Sequence, residues 1–409
     1  MRRRTFWLIA TLYFCQGLPF GFFTQTLPVL MRQKGLSLET IGMSSLLALP
    51  WGLKFLWAPV VDRVGMAGIG RRRSWILPMQ ALSVIAMVVL AGLEPGGNLG
   101  TLYAFAFLTN LVAATQDVAA DALCVEMLLD AELGHANGLR VAAYRTGMIV
   151  GGGAMLIAMP TLGWRNAMLS MAAMLAVCTA PVLALREEPA HAPAQGGGTS
   201  LIREFLARSG SWRWLGVLVA FKFGESMGNG MVRPLLVDAG MSLPDLGWLL
   251  GTGAFAAGLT GALIGGALTG RLGQLAALRL FGGLQAIAVA SYLAPALGHT
   301  GIATLTAVCL LEHATSGMAT AALFTAMMAR CRPGTAATDY TVQASTVVLA
   351  SGAAVAAGGA LAGRFGYPLH FAVSALVAAA ALVPVQRCAD LVDQRREEAR
   401  RDTCGLAGS

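Results

Sequence analysis

Long apolar runs alternate with short polar breaks along the whole chain. Each run is about twenty residues or more, the length that carries an α-helix across a bilayer core of about 30 Å. The pattern predicts twelve spanning helices, near 6–31, 38–60, 74–93, 100–125, 138–160, 165–185, 211–236, 244–268, 276–297, 301–328, 340–362 and 368–386. The longest polar break, Arg186 to Arg213, holds Pro189, Pro193 and three consecutive glycines from Gly196, and reads as a linker between six spans and six. The expected organisation is an N-terminal six-helix bundle over 1–186, a cytoplasmic linker over 187–212, a C-terminal six-helix bundle over 213–388 and a cytoplasmic tail over 389–409. Gly17, Pro19 and Pro28 make the first span a candidate bent helix, and Gly147, Gly151, Gly152 and Gly153 allow close packing by the fifth.

The two halves echo each other. Lys34-Gly35-Leu36-Ser37-Leu38 returns as Ala239-Gly240-Met241-Ser242-Leu243, each copy in a polar break between apolar runs. A chain of two like, mostly apolar halves is the pattern of a secondary transporter with its substrate site between the repeats.

Composition agrees with a polytopic membrane protein: 56% of residues are hydrophobic and 12% charged, against roughly 25% charged in a soluble domain. The net charge of +8 comes from cations clustered in loops, without a basic helix interleaved with aromatics, so nucleic acid is not an expected partner. Seven scattered cysteines show neither CxxC nor Cys/His spacing, so neither a disulfide framework nor a metal is expected, and no cofactor is implied. Arg2-Arg3-Arg4 before an apolar run imitates a signal peptide, but the run continues without a small-residue cleavage site and reads as an uncleaved first helix. Most Lys and Arg fall in loops on one side, among them Arg63, Arg71–Arg73, Arg186, Arg203, Arg208, Arg271, Arg330 and Arg332, which places both termini in the cytoplasm. The three lysines, Lys34, Lys54 and Lys222, lie outside any phosphate-binding Gly-x-x-x-x-Gly-Lys context, so an ion gradient rather than ATP is the expected energy source.

Ionisable residues inside spans carry the candidate chemistry, because each costs at least ~2.5 kcal/mol to insert. The fourth span holds Gln116, Asp117 and Asp121, the two aspartates one turn apart on one face. The seventh holds Lys222 and Glu225, the tenth Glu312 and His313, and the first Tyr13 and Gln16. Lys54 lies on the second span at a depth similar to Asp117, and Arg145 lies about two turns into the fifth. Lys222 and Glu225 can simply neutralise one another, and Lys54 can form a structural pair with Asp117 or Asp121. Asp121 and Glu126 lie towards the cytoplasmic end, where partial solvation is expected. No HExxH, GxSxG or Ser/His/Asp set indicates an enzyme.

Asp62-Arg63-Val64-Gly65 followed by Arg71-Arg72-Arg73 resembles the cytoplasmic signature loop of the major facilitator superfamily. In the second half Gly270 stands before Arg271 where the acidic residue would be. Three further strings narrow the likeness: Tyr13-Phe14-Cys15-Gln16-Gly17-Leu18-Pro19, Leu49-Pro50-Trp51-Gly52-Leu53-Lys54-Phe55-Leu56-Trp57-Ala58-Pro59, and Ala114-Thr115-Gln116-Asp117-Val118-Ala119-Ala120-Asp121. With Phe221-Lys222-Phe223-Gly224-Glu225 they resemble the peptide/acetyl-CoA transporter branch, which includes AmpG-type muropeptide permeases and importers of siderophores such as pyochelin and rhizobactin.

The resemblance implies an all-α major facilitator fold in a bacterial inner membrane, acting as a monomer on an anionic small molecule with protons as co-substrate and the bilayer as its surroundings. A siderophore is the first expected substrate, matched by the chain length, with a muropeptide second and a coenzyme A thioester third. A non-transporting membrane receptor for the same ligand is the alternative of another class. Tyr13, Gln16, Lys54, Gln116, Arg145 and Lys222 are the expected substrate contacts. Asp117, Asp121, Glu225, Glu312 and His313 are the expected proton sites. Asp62, Arg63, Arg71, Arg72, Arg73 and Arg271 are the expected cytoplasmic gate.

Overall fold

A computed structural model of the chain describes residues 3–27, 30, 49–66, 68–93, 99–185, 187, 198–332 and 334–389. The first copy of the internal repeat, the start of the second span, residues 188–197 of the linker and the charged tail from 390 lie outside the described residues.

Among the described residues the fold is all-helical, with no strand. The helices used below are α1 (Arg3–Gly21), α2 (Leu49–Leu53), α3 (Ala58–Arg63), α4 (Arg73–Ala91), α5 (Leu99–Met127), α6 (Leu133–Ile149), α7 (Met155–Cys178), α8 (Ser211–Gly230), α9 (Ala254–Leu272), α10 (Gln274–Ser291), α11 (Ile302–Ala329) and α12 (Ala336–Ala380). Seven stretches among the described residues are long and apolar enough to cross a bilayer. Two of them, 130–183 and 336–387, are long enough for two crossings each. Each double stretch is interrupted by a glycine in left-handed backbone, Gly163 (φ 69°) and Gly366 (φ 79°), a conformation other residues adopt only under strain. Both breaks fall where the sequence predicts a turn between spans, and the helices are consistent with twelve crossings.

The chain forms two compact units. The first takes Met1–Leu128, Leu139–Ile202 and Arg332–Ser345; the second takes Leu129–Gly138, Arg203–Cys331 and Thr346–Ser409. In the first unit α1 and α6 touch backbone to backbone. A Cβ built on Gly17 would lie 2.1 Å from the Tyr144 carbonyl oxygen, and one on Gly151 would lie 1.9 Å from that of Leu18. Both helices widen into π turns at this crossing, over Phe22–Thr26 and Val150–Ala154. Such turns leave carbonyls out of the regular ladder, and the Thr26 hydroxyl donates to two of them, Gly151 O at 3.1 Å and Gly152 O at 2.7 Å. Phe22, Phe23, Met87, Leu90, Met168 and Met171 pack beside them as the apolar core.

The second unit uses the same device between α9 and α11. A Cβ on Gly261 would lie 2.0 Å from the Ala314 carbonyl oxygen, and one on Gly317 would lie 2.2 Å from that of Gly258. Because lipid tails are as apolar as the helix surfaces, helix association in a bilayer relies on this kind of close packing by small residues.

Candidate functional site

Four charged side chains meet inside the first unit. Lys54 follows α2 in a tight 3-10 turn, Asp117 and Asp121 lie on α5, and Arg140 lies on α6. Their exposures are 3%, 4%, 0% and 8% respectively, so each charge must find its partner within the protein. Lys54 is hydrogen-bonded to Asp117, and its ammonium stands 3.9 Å from Asp121. Arg140 Nη2 meets Asp121 Oδ1 at 2.7 Å, and the Tyr13 hydroxyl donates to the same oxygen at 2.6 Å. The Arg140 guanidinium also lies over two aromatic rings, Tyr13 at 4.6 Å and Tyr340 at 5.0 Å, and donates to the Tyr340 hydroxyl. Two cations thus balance two carboxylates, with Asp121 held from three directions and Lys54 hydrogen-bonded to Asp117 alone.

The expectation of a partly solvated Asp121 is corrected by this burial. The arginine facing it is also not the one the sequence favours. Arg145 is half-buried on α6, five residues and therefore about 140° around the helix from Arg140. Arg140 escapes a sequence reading because the apolar pattern starts the fifth span at 138, which leaves it at a membrane boundary where arginines are ordinary. The helix in fact begins at Leu133, behind Asp130 and Glu132, and Arg140 is two turns inside it. Acidic residues favour a helix start, and they are the signal that would have moved the boundary. Gln16 and Gln116 are buried nearby, and both polar atoms of the Gln16 amide, with Nε2 of Gln116, have no hydrogen-bond partner.

A second polar cluster occupies the second unit. Lys222 pairs with Glu225 one turn along α8 at 2.6 Å, Ser316 donates to Glu225 at 2.9 Å, and Lys222 donates to Thr320 at 3.4 Å. The adjacent group on α11 joins Glu312 to the His313 ring at 2.7 Å and takes a hydrogen bond from Asn229 at 3.1 Å.

The expected gate residues divide. Arg72 spans Asp62 at 2.8 Å and Glu126 at 2.6 Å, and Arg71 joins Glu126 at 2.8 Å. Asp62 also caps the start of α12, accepting from Ala337 N at 3.1 Å, Thr338 N at 2.7 Å and the Thr338 hydroxyl at 2.6 Å. Glu126, expected to be partly solvated, is partly buried and a full member of this cluster. Glu187 is a further member that sequence reasoning missed: its carboxylate accepts from the backbone N–H of Arg72 and Arg73 at the start of α4. The Arg73 guanidinium donates to carbonyls of Val182, Leu183 and Ile69 rather than to a carboxylate. Arg63 is half-buried at the end of α3, and Arg271 stands exposed at the end of α9.

The match that decides the family covers most of the chain: residues 9–354 fit the model of the Major Facilitator Superfamily. The chain belongs to the major facilitator superfamily. Within it, the chain is 31% identical to the anhydromuropeptide permease of Escherichia coli (strain K12) over 339 residues, 81% of this chain and 69% of that one. It is 23% identical to the putative transporter AmpG 4 of Rickettsia felis over 381 residues, 90% of this chain and 92% of that one. Among solved structures, the human organic anion transporter MFSD10 superposes with a TM-score of 0.73 at 16% identity, covering 94% of this chain and 99% of that one. The transporter FucP superposes with a TM-score of 0.70 at 14% identity, with the same coverage. At those identities the likeness is one of fold, and the major facilitator fold is what this chain shares with them.

Proposed function

We propose that this major facilitator protein is a proton-coupled transporter of the bacterial inner membrane for anhydromuropeptide-like anions, sugar–peptides that carry free carboxylates. The observation that carries the reading is the buried Lys54–Asp117 pair beside a better-anchored Arg140–Asp121 pair. A lysine ammonium is a compact point charge on a flexible stem, and Lys54 can exchange Asp117 for a carboxylate of the substrate. Asp117 then has no cation beside it, and a buried carboxylate in that position takes up a proton instead of keeping its charge. Substrate and proton enter together and leave together, which is symport. Asp121 keeps Arg140 and the Tyr13 hydroxyl throughout and holds the site in shape.

A siderophore or a coenzyme A thioester also bears anionic groups that Lys54 could accept. The Escherichia coli relative is named for anhydromuropeptides, so that class takes precedence here over the siderophore expected from sequence. The test is uptake by the purified protein in vesicles, using labelled anhydromuropeptide with and without an imposed pH step. Accumulation above the external concentration only when the pH step is present is the expected result. Accumulation of a ferric siderophore instead would reassign the substrate. Binding of the muropeptide without any uptake would make the protein a receptor.

A further inference from the structure

Three aromatic side chains cluster next to the ionic site. Phe20 and Trp51 meet edge to face with ring centroids 5.6 Å apart, and Phe20 lies 5.9 Å from Tyr144. The Trp51 indole N–H donates to the Asn110 side chain at 3.3 Å, which fixes the plane of the ring. All three rings are only partly buried, whereas Tyr13, Phe22 and Phe23 in the same unit are fully buried. The Lys54 ammonium lies 5.7 Å from the Trp51 ring centroid, so shelf and cation are contiguous.

Helix periodicity explains why these residues gather. Phe20 lies two turns beyond Tyr13 on α1, Tyr144 one turn beyond Arg140 on α6, Trp51 one turn before Lys54, and Asn110 two turns before Asp117 on α5. On each of the four segments the shelf level and the ionic level lie one or two turns apart on one stripe. The Asp62–Arg72–Glu126 cluster lies on the other side of the ionic level, since Asp62 and Glu126 follow Lys54 and Asp121 in their segments. Gln16 lies one turn from Phe20 on α1, buried, with both amide atoms lacking a hydrogen-bond partner.

We propose that Phe20, Trp51 and Tyr144 form a saccharide-stacking subsite, which holds the apolar face of the substrate's pyranose ring while Lys54 holds a carboxylate. A pyranose presents C–H groups on one face, which pack on the negative face of an aromatic ring, and polar groups around its edge. The edge groups, an acetamido amide above all, match the unpaired donor and acceptor of Gln16. A peptide without a sugar has no such face, so the shelf selects for the sugar half of the substrate. The inference rests on the muropeptide reading given above.

The test is binding by the purified full chain in detergent, with 1,6-anhydro-N-acetylmuramyl-tripeptide and the same tripeptide without its sugar as probes. Trp51→Leu and Phe20→Leu should each weaken binding of the glycopeptide about tenfold. Trp51→Phe, which keeps a ring and loses only the bond to Asn110, should stay within about threefold of wild type. The sugar-free tripeptide should respond equally in wild type and Trp51→Leu. Unchanged glycopeptide affinity in Trp51→Leu, or a parallel loss for both probes, overturns the shelf and leaves the substrate reading standing. A wild-type protein that does not bind the glycopeptide overturns the substrate reading, and the shelf with it. Thermal unfolding of each variant separates misfolding from weakened binding, and Phe20→Leu provides the second test if Trp51→Leu fails to fold.

Discussion

Arg140 and Asp121 form a 2.7 Å ion pair between α6 and α5, and the guanidinium lies over the rings of Tyr13 and Tyr340 at 4.6 and 5.0 Å. Removing one partner of a buried pair leaves an uncompensated charge and costs about 3–5 kcal/mol, whereas removing both is far milder. Arg140→Gln should therefore lower the thermal stability of the protein markedly, and Arg140→Gln with Asp121→Asn should recover most of it. Thermal unfolding in detergent, followed by size-exclusion profile, measures this. Equal instability of the single and double variants would mean that Arg140 acts through its ring contacts and not through Asp121. Arg140→Lys should fall short of wild type, because an ammonium lacks the planar fork that stacks and bonds at once.

Asp117 separates coupling from binding. Asparagine keeps the shape and hydrogen bonding of aspartate but cannot carry a proton on and off. Asp117→Asn vesicles should exchange internal for external substrate yet fail to accumulate it when a pH step is the only driving force. Continued pH-driven accumulation would move the coupling role to Asp121, Glu225 or Glu312.

Lys222 and Glu225 are an i,i+3 pair at 2.6 Å, and Ser316 and Thr320 bond to them. If the pair only neutralises itself, Lys222→Ala with Glu225→Ala should restore uptake that Lys222→Ala alone loses. If Lys222 also meets the substrate, the double variant should insert and unfold like wild type but remain inactive. Uptake and thermal unfolding measured on the same preparations distinguish the two.

The α1–α6 crossing yields a paired stability test. Gly151→Ala would place a methyl 1.9 Å from the Leu18 carbonyl oxygen, where backbone would have to move, whereas Gly153→Ala meets nothing within 4 Å. Gly151→Ala should reduce the yield of folded protein severalfold and Gly153→Ala should leave it unchanged, read from monodisperse yield after extraction. Similar yields would mean that the two helices can separate without penalty.

Run length and turn residues were enough to define most helices from sequence, because spanning a bilayer needs a minimum apolar length and leaving a helix sharply needs a residue such as Gly163 or Gly366. Spacing along a single helix was enough to pair Lys222 with Glu225 and to put Asp117 and Asp121 on one face, since 3.6 residues per turn is a local property. Periodicity gives the phase of a side chain on its own helix, but not which neighbouring helix it faces. That second fact depends on how deeply helices approach and how they rotate, and backbone contacts such as Gly17 against Tyr144 and Gly151 against Leu18 set it in the first unit. Only then do Tyr13, Asp121, Arg140 and Tyr340 meet, although 200 residues separate Arg140 from Tyr340. The same holds for Phe20, Trp51 and Tyr144, three unremarkable aromatics in sequence that become one shelf because three separate segments turn the same stripe towards one another.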